Sequence, residues 1–280
     1  MHNRTIRSAL ISVFNKEGLE PIVNRLSSLG ITLYSTGGTY TFIDQLGLKV
    51  TLVEDLTEYP SIFGGRVKTL HPKIFGGILN RRADVRDIAE KEEYNIPDID
   101  LVIVDLYPFE ETVSYGGTTE EIIEKIDIGG VALIRGAAKN YNDVLIVSSR
   151  RFYKKFLDLL DRGEGLTTLE QRKSFALRAF HISSHYDTAI FNYMNKSGEL
   201  PVYKVSCDQR KSLRYGENPH QEGIFYGDLK SYFDQLGGKD ISYNNLIDVE
   251  AAVQIIAEFE DELAFGILKH NNACGFAIDS

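Results

Sequence analysis

The chain has 280 residues, 43% hydrophobic and 25% charged, the make-up of a folded globular protein with room for one large domain or two ordinary ones. Its net charge of −9 argues against broad contact with nucleic acid or an anionic membrane. Two cysteines without CxxC spacing, Cys207 and Cys274, exclude a disulfide scaffold and a cysteine-held zinc, and suit a reducing cytoplasm; the first apolar stretch is too short for a signal peptide, and none approaches the length of a membrane span.

In chain order, the apolar run 9–14 reads as a buried strand. Residues 17–29 follow as a helix, with Leu19, Ile22, Val23, Leu26 and Leu29 on one face and Gly30 as its stop. A second strand over 31–34, a short helix to Leu46 and a strand near 50–53 complete a β-α-β-α-β start, the pattern of a parallel sheet with helices on both faces. Residues 101–106 are the clearest later strand. Helices over 120–126 and up to Lys139, a strand at 144–147, and a long helix to about Met194 behind a Thr167-x-x-Glu170 capping box follow. The loop 196–201 is the best boundary, giving domains 1–198 and 199–280. Beyond it lie a polar, Gly/Pro-punctuated segment at 214–220, an amphipathic helix over 248–259 and a strand at 263–268.

Ser35-Thr36-Gly37-Gly38-Thr39 follows a strand and opens a helix. Glycines there let backbone N–H groups approach a phosphate, at the positive end of the helix; an ordinary glycine turn with an N-cap uses the same residues. Gly64-Gly65-Arg66-Val67-Lys68-Thr69 brings a bidentate guanidinium and a point-charge ammonium together. If extended, it points Arg66 and Lys68 the same way. Its apolar neighbours Ile62, Phe63 and Leu70 favour a pocket wall over a solvated loop. Asp105 and Tyr107 stand at the carboxyl end of a strand, where open α/β sheets bind ligands. On residues alone, Asp127 reads as a helix N-cap and Lys139 as a cation favoured by the helix dipole. His181 and His185 share a helix face, but no third ligand completes a metal site. Lys269-His270 ends an apolar strand, where a histidine suits general-base work or is simply structural.

Taken together, Ser12-Val13, Lys16, Ser-Thr-Gly-Gly-Thr, Gly-Gly-Arg-Val-Lys-Thr-Leu-His-Pro, Leu-Tyr-Pro-Phe, Lys-Ile-Asp-Ile-Gly-Gly-Val-Ala-Leu-Ile-Arg and Ala-Ala-Lys-Asn closely resemble one family. It is the bifunctional purine biosynthesis family, which joins IMP cyclohydrolase to AICAR transformylase. Leu213-Arg214-Tyr215-Gly216-Glu217-Asn218-Pro219-His220-Gln221 and Lys269-His270 resemble the opening of its transformylase half. The resemblance implies a methylglyoxal-synthase-like α/β domain over 1–198, followed by the start of a cytidine-deaminase-like α/β transformylase domain. It implies ring closure of formyl-AICAR to IMP with loss of water, no cofactor or metal for that step, and formyl-tetrahydrofolate as co-substrate of the transformylase. It also implies purine nucleotides as small-molecule partners, a cytoplasmic homodimer for the full-length form, and neither nucleic acid nor membrane as partner.

By the same resemblance Ser12, Asn15, Lys16, Thr36, Gly37, Gly38 and Thr39 would hold the nucleotide, with Arg66, Val67, Thr69, Asp105, Ile128 and Gly129 completing the contacts. Asp127 would activate the carboxamide, Lys139 would carry the proton, and Lys68 and Tyr107 would stabilise charge on the formyl oxygen. Arg214 and Tyr215 match AICAR contacts, His270 a base and Lys269 a transition-state stabiliser. Three positions depart from the pattern: Phe14 stands where serine is common, Asn15 where aspartate is, and Asp105 where asparagine is. The family's chain is nearly twice as long, so the expectation is a fragment competent at most for cyclohydrolase chemistry. Two other readings are a non-catalytic nucleotide-binding module of the same fold, which needs neither Asp127 nor Lys139, and methylglyoxal synthase, which does not need the segment from Leu213 onward.

Overall fold

The structure, a computed structural model, describes residues 3–259 and 262–279. The chain divides into two units, Met1–Lys204 and Val205–Ser280. The first unit runs β1 (Arg4–Thr5), β2 (Ser8–Val13), α1 (Glu20–Ser28), β3 (Thr32–Ser35), α2 (Gly37–Gln45), β4 (Thr51–Leu52), α3 (Val53–Thr57), α4 (Pro72–Leu79), α5 (Val85–Glu93), β5 (Leu101–Asp105), α6 (Phe109–Ser114), α7 (Thr119–Ile123), α8 (Gly129–Lys139), β6 (Leu145–Val147), α9 (Tyr153–Gly163), β7 (Leu166–Thr167) and α10 (Leu169–Met194).

Five of these strands form one sheet in the order β4-β3-β2-β5-β6, all parallel. Continuous aliphatic strands demand cover on both faces. Ala9, Ile11 and Val13 of β2, with Leu101 and Ile103 of β5, face a core closed by Ile22, Val23 and Leu26 of α1 and Phe156 and Leu160 of α9. The alternate residues Leu10, Val102 and Val104 face Ile74 and Ile78 of α4, Leu133 and Ala137 of α8, and Ala176 and Ala179 of α10. From β2 the chain winds outward to β4, then returns to lay β5 on the other side of β2. The strand order therefore reverses between β2 and β5, where Val13 sits in register with Asp105.

Element boundaries differ from the sequence reading for local reasons. Helix α1 begins at Glu20, because Gly18 takes φ 75° and Pro21 belongs in a first turn. The strand expected over 50–53 is reduced to β4, since Val53 already opens α3. The long helix is capped one residue later than expected, by the reciprocal Thr168–Gln171 pair. Thr167 instead lies in β7, its hydroxyl donating to the Arg4 carbonyl and accepting from the buried Arg172. Helix α7 stops at Ile123, leaving residues 124–128 as a link into α8.

The second unit holds β8 (Arg210–Ser212), β9 (Ile224–Tyr226), α11 (Tyr243–Ala257), β10 (Leu263–Lys269) and β11 (Asn272–Asp279). Its strands make two antiparallel pairs, β8 with β9 and β10 with β11. The helix expected over 248–259 starts earlier, behind a Ser242–Asn245 capping box. His270 and Asn271 both take positive φ, 52° and 61°, which makes them the two central residues of a tight hairpin turn.

Candidate active site

At the carboxyl ends of β2, β3 and β5, beside the reversal of strand order, lies a cavity of about 520 Å³. Five segments wall it. Ser12, Val13, Phe14 and Lys16 come from the end of β2; Thr36, Gly38 and Thr39 open α2; and Gly64, Gly65, Arg66, Lys68 and Thr69 precede α4. Asp105 and Tyr107 leave β5, while Ile123, Glu124, Ile126, Asp127, Ile128, Gly129 and Gly130 lead into α8.

One end of the cavity is built for an anion. The first residue of α2, Gly37, has φ 45°, a conformation a side chain would strain. A Cβ on Gly37 would lie 3.9 Å from the Lys68 ammonium, and one on Gly38 3.8 Å from that of Lys16. Two cations thus stand over the positive end of one helix. Lys16 also donates to the Phe14 carbonyl at 2.8 Å. Its pKa is lowered by burial first and by Lys68 second, against the pull of Asp105. The Thr39 hydroxyl is occupied, bonded to both the N–H and the carbonyl of Val13, so it clamps α2 to β2. Thr36 Oγ1 lies 3.1 Å from Ser12 Oγ. Arg66 stands at the rim, ion-paired with Glu124. Its backbone is helical rather than extended, so the expected simple alternation of Arg66 and Lys68 does not occur.

The other end carries a carboxyl and a phenol. Asp127 accepts the Gly130 N–H at 2.6 Å and so caps α8 from outside. Its pKa is raised, because burial outweighs the backbone N–H bonds of Gly130 and Tyr107 and the attraction of Lys68. The Tyr107 phenol is raised by burial, then by Asp127. Its ring meets Phe14 edge to face at 5.3 Å, and the Lys125 ammonium lies 5.5 Å and 6.0 Å from the two ring centres. Phe14, with no hydroxyl to offer, thus supports Tyr107. Asp105 accepts the Asn15 N–H at 3.2 Å. Burial raises its pKa against that bond and one from the Arg150 backbone. Gly129 is packed close to the buried Thr69, whose Oγ1 would be 3.0 Å from an added Cβ.

Other expected residues stand apart from this cavity. Val67 pairs its backbone with Ile62. Asn15 lines an adjoining cavity of about 240 Å³, its Oδ1 accepting the Glu17 N–H. Lys139 is exposed at the last position of the 11-residue α8, about 15 Å along the axis from Gly129. In the second unit, the Tyr243 N–H at the start of α11 donates to the Tyr215 carbonyl, and the N–H of Asn271, next to the Lys269-His270 pair, donates to Asp248 Oδ1 of α11 at 2.7 Å. Arg214 stacks on the Tyr215 ring at 4.8 Å. Among the described residues no cluster of three His, Cys, Asp or Glu side chains gathers to hold a metal, and no helix is long and apolar enough to cross a membrane. Glu124, Lys125 and Tyr186, which donates to the Lys125 carbonyl, were not legible as site residues; adjacency to Asp127 is the only signal for the first two, and Tyr186 has none.

Residues 137–280 match the model of the AICARFT/IMPCHase bienzyme family, and residues 18–132 that of the MGS-like domain. The bifunctional purine biosynthesis protein PurH of Bacteroides thetaiotaomicron is 59% identical over 98% of this chain and 54% of its own length. The PurH proteins of Rhodopirellula baltica and Chlorobium phaeobacteroides are 46% and 41% identical, over 97% and 99% of this chain and 54% and 56% of theirs. The chain therefore spans about half the length of these relatives. The crystal structure of ForH is 36% identical, covers 68% of this chain and 100% of its own, and superposes with a TM-score of 0.58.

Proposed function

The chain belongs to the AICARFT/IMPCHase bienzyme family, and from that premise we propose that its first unit closes the purine ring of formyl-AICAR, giving IMP and water. The observation that carries this reading is the position of Lys68, which lies beside the glycine-bearing start of α2 and also acts on the Asp127 carboxyl. One cavity then holds a phosphate at one end and a reacting amide at the other. Lys16 and Lys68 neutralise the phosphate over Gly37 and Gly38. Asp127 accepts a proton from the carboxamide nitrogen as it attacks the formyl carbon. Lys68 and Tyr107 stabilise the oxygen on which negative charge develops and protonate it to a hydroxyl. A second proton lets that hydroxyl leave as water while the formamide N–H is lost to form the ring C=N bond, so the two protons the oxygen gains match the two the nitrogens give up. Lys139, to which the resemblance assigns proton transfer, is outside this cavity, so delivery of the proton falls to these two groups.

In the second unit, we propose that Arg214 and Tyr215 contribute AICAR contacts and Lys269 and His270 the transfer chemistry of the family's formyltransferase, with formyl-tetrahydrofolate as co-substrate. Turnover of formyl-AICAR, followed by the absorbance of IMP, tests the first reading. Asp127→Ala and Lys68→Ala are each expected to lower kcat more than tenfold, at least about 1.4 kcal/mol of barrier. Nucleotide binding without turnover by the wild-type chain would leave a binding module instead.

A further inference from the structure

Tyr186 lies on α10, 59 residues beyond Asp127, and is only 6% exposed. Its single hydroxyl makes two bonds to one short segment. It donates to the Lys125 carbonyl at 2.5 Å and accepts the Asp127 N–H at 2.8 Å. The ring is held from the side by Phe109, edge to face at 6.0 Å. Burial pushes the phenol pKa up to about 12, so the hydroxyl keeps its proton, and with it both bonds, at neutral pH.

Two charges stand on that tethered segment. The Asp127 carboxyl enters the cavity, and the Lys125 ammonium lies over the Phe14–Tyr107 ring pair. Between the end of α7 and the start of α8, the segment has no strand or helix of its own. We infer that Tyr186 is a positioning residue for the cyclisation: its hydroxyl, bridging Lys125 O and Asp127 N, sets the reach of Asp127 toward the reacting amide. This inference rests on the function proposed above. A carboxyl that must meet a nitrogen near 3 Å tolerates little displacement, since a shift of about 1 Å costs on the order of 100-fold in rate.

The test is a cycle of Tyr186→Phe, Asp127→Asn and the double variant, with Phe109→Leu as the packing control. Y186F is expected to lower kcat about tenfold with KM for formyl-AICAR within threefold, and to change kcat less than twofold in the D127N background. F109L loosens the same ring without removing the hydroxyl, and is expected to lower Tm with kcat within twofold. Unchanged kcat in Y186F, an equal loss in the D127N background, or an F109L loss matching that of Y186F would each overturn the inference. Amide hydrogen exchange at Asp127 reads the tether without reference to activity: it is expected to speed up at least tenfold in Y186F, and an unchanged rate overturns the inference. A wild-type chain that does not turn over formyl-AICAR defeats the cyclisation reading separately. If Y186F does not fold, Tyr186→His is used under the same criteria.

Discussion

Asp127 is buried enough that its carboxyl titrates above the ordinary carboxylate range, and the direction of that shift determines two pH dependences. The folded protein binds this proton more tightly than the unfolded chain. Between the unfolded pKa of about 3.9 and the raised folded value, stability therefore falls as pH rises, and above the folded value the full cost of the buried charge is present. Asp127→Asn keeps an oxygen for the Gly130 N–H but removes the charge. It is expected to melt higher than wild type at about pH 7.5 and to lose that advantage near pH 4, as read by thermal denaturation across pH. Its kcat should fall more than tenfold, because the amide nitrogen loses its proton acceptor. In the wild type, the acid limb of kcat/KM should lie above the ordinary carboxylate value. A D127N protein less stable than wild type at pH 7.5 would show that burial does not dominate the site. The family resemblance singles out Asp127, Lys68 and Tyr107, and all three line one cavity; on residues alone Asp127 reads as a helix N-cap. The role of Phe14 was not legible: a lost hydroxyl is visible in the sequence, whereas a ring that supports Tyr107 requires the ends of β2 and β5 to be adjacent.

Helix α8 illustrates how one element can serve both the core and the cavity. Leu133, Ile134, Ala137 and Ala138 are buried against the sheet, while its first two residues, Gly129 and Gly130, line the cavity. A Cβ at Gly130 would lie 2.5 Å from Asp127 Oδ2 and 2.9 Å from Oδ1, so the carboxyl must move to admit it. Alanine is otherwise the better helix former, by roughly 1 kcal/mol. Gly130→Ala should thus keep Tm within a few degrees while lowering kcat at least tenfold, measured on the same preparation. Wild-type turnover in G130A would mean that the carboxyl position is not critical. The same helix separates Lys139 from the cavity: the sequence reading already puts Lys139 at the helix end, where it stands. Its run Ala-Ala-Lys-Asn lies close to Asp127 along the chain, but the helical rise carries it to the opposite end of α8. The parallel sheet was legible from its continuous aliphatic strands, which need no alternation when both faces are covered. The helices α4, α5 and α6, of eight, nine and six residues, lacked a long apolar period, whereas α9 carries one in Tyr153, Phe156, Leu159 and Leu160; the paired strands β1 and β7 are two residues each, too short to leave a pattern.

The two units differ in how much apolar surface each buries. Both core layers around the parallel sheet are built from residues 6–182, whereas in the second unit Leu229 is the one buried hydrophobic residue among those described. Leu263, Phe265, Ile267 and Ile278 of the β10–β11 pair are 78%, 67%, 56% and 52% exposed. A unit held by so little burial has small local stability and opens far more readily than one with a two-layer core. Cooperative unfolding of the 280-residue chain should therefore report on residues 1–204. A chain ending at Lys204 is expected to melt within about 3 °C of the longer one, since 1 kcal/mol shifts a domain of this size by about 2–4 °C. It should also bind IMP with unchanged affinity, because every residue lining the cavity lies between Ser12 and Gly130. Backbone amides of β10 and β11 should exchange at least a hundredfold faster than those of β2 and β5 in the longer chain. A shorter chain that fails to melt cooperatively, or equal protection in the two sheets, would show that the second unit contributes to the stability of the first.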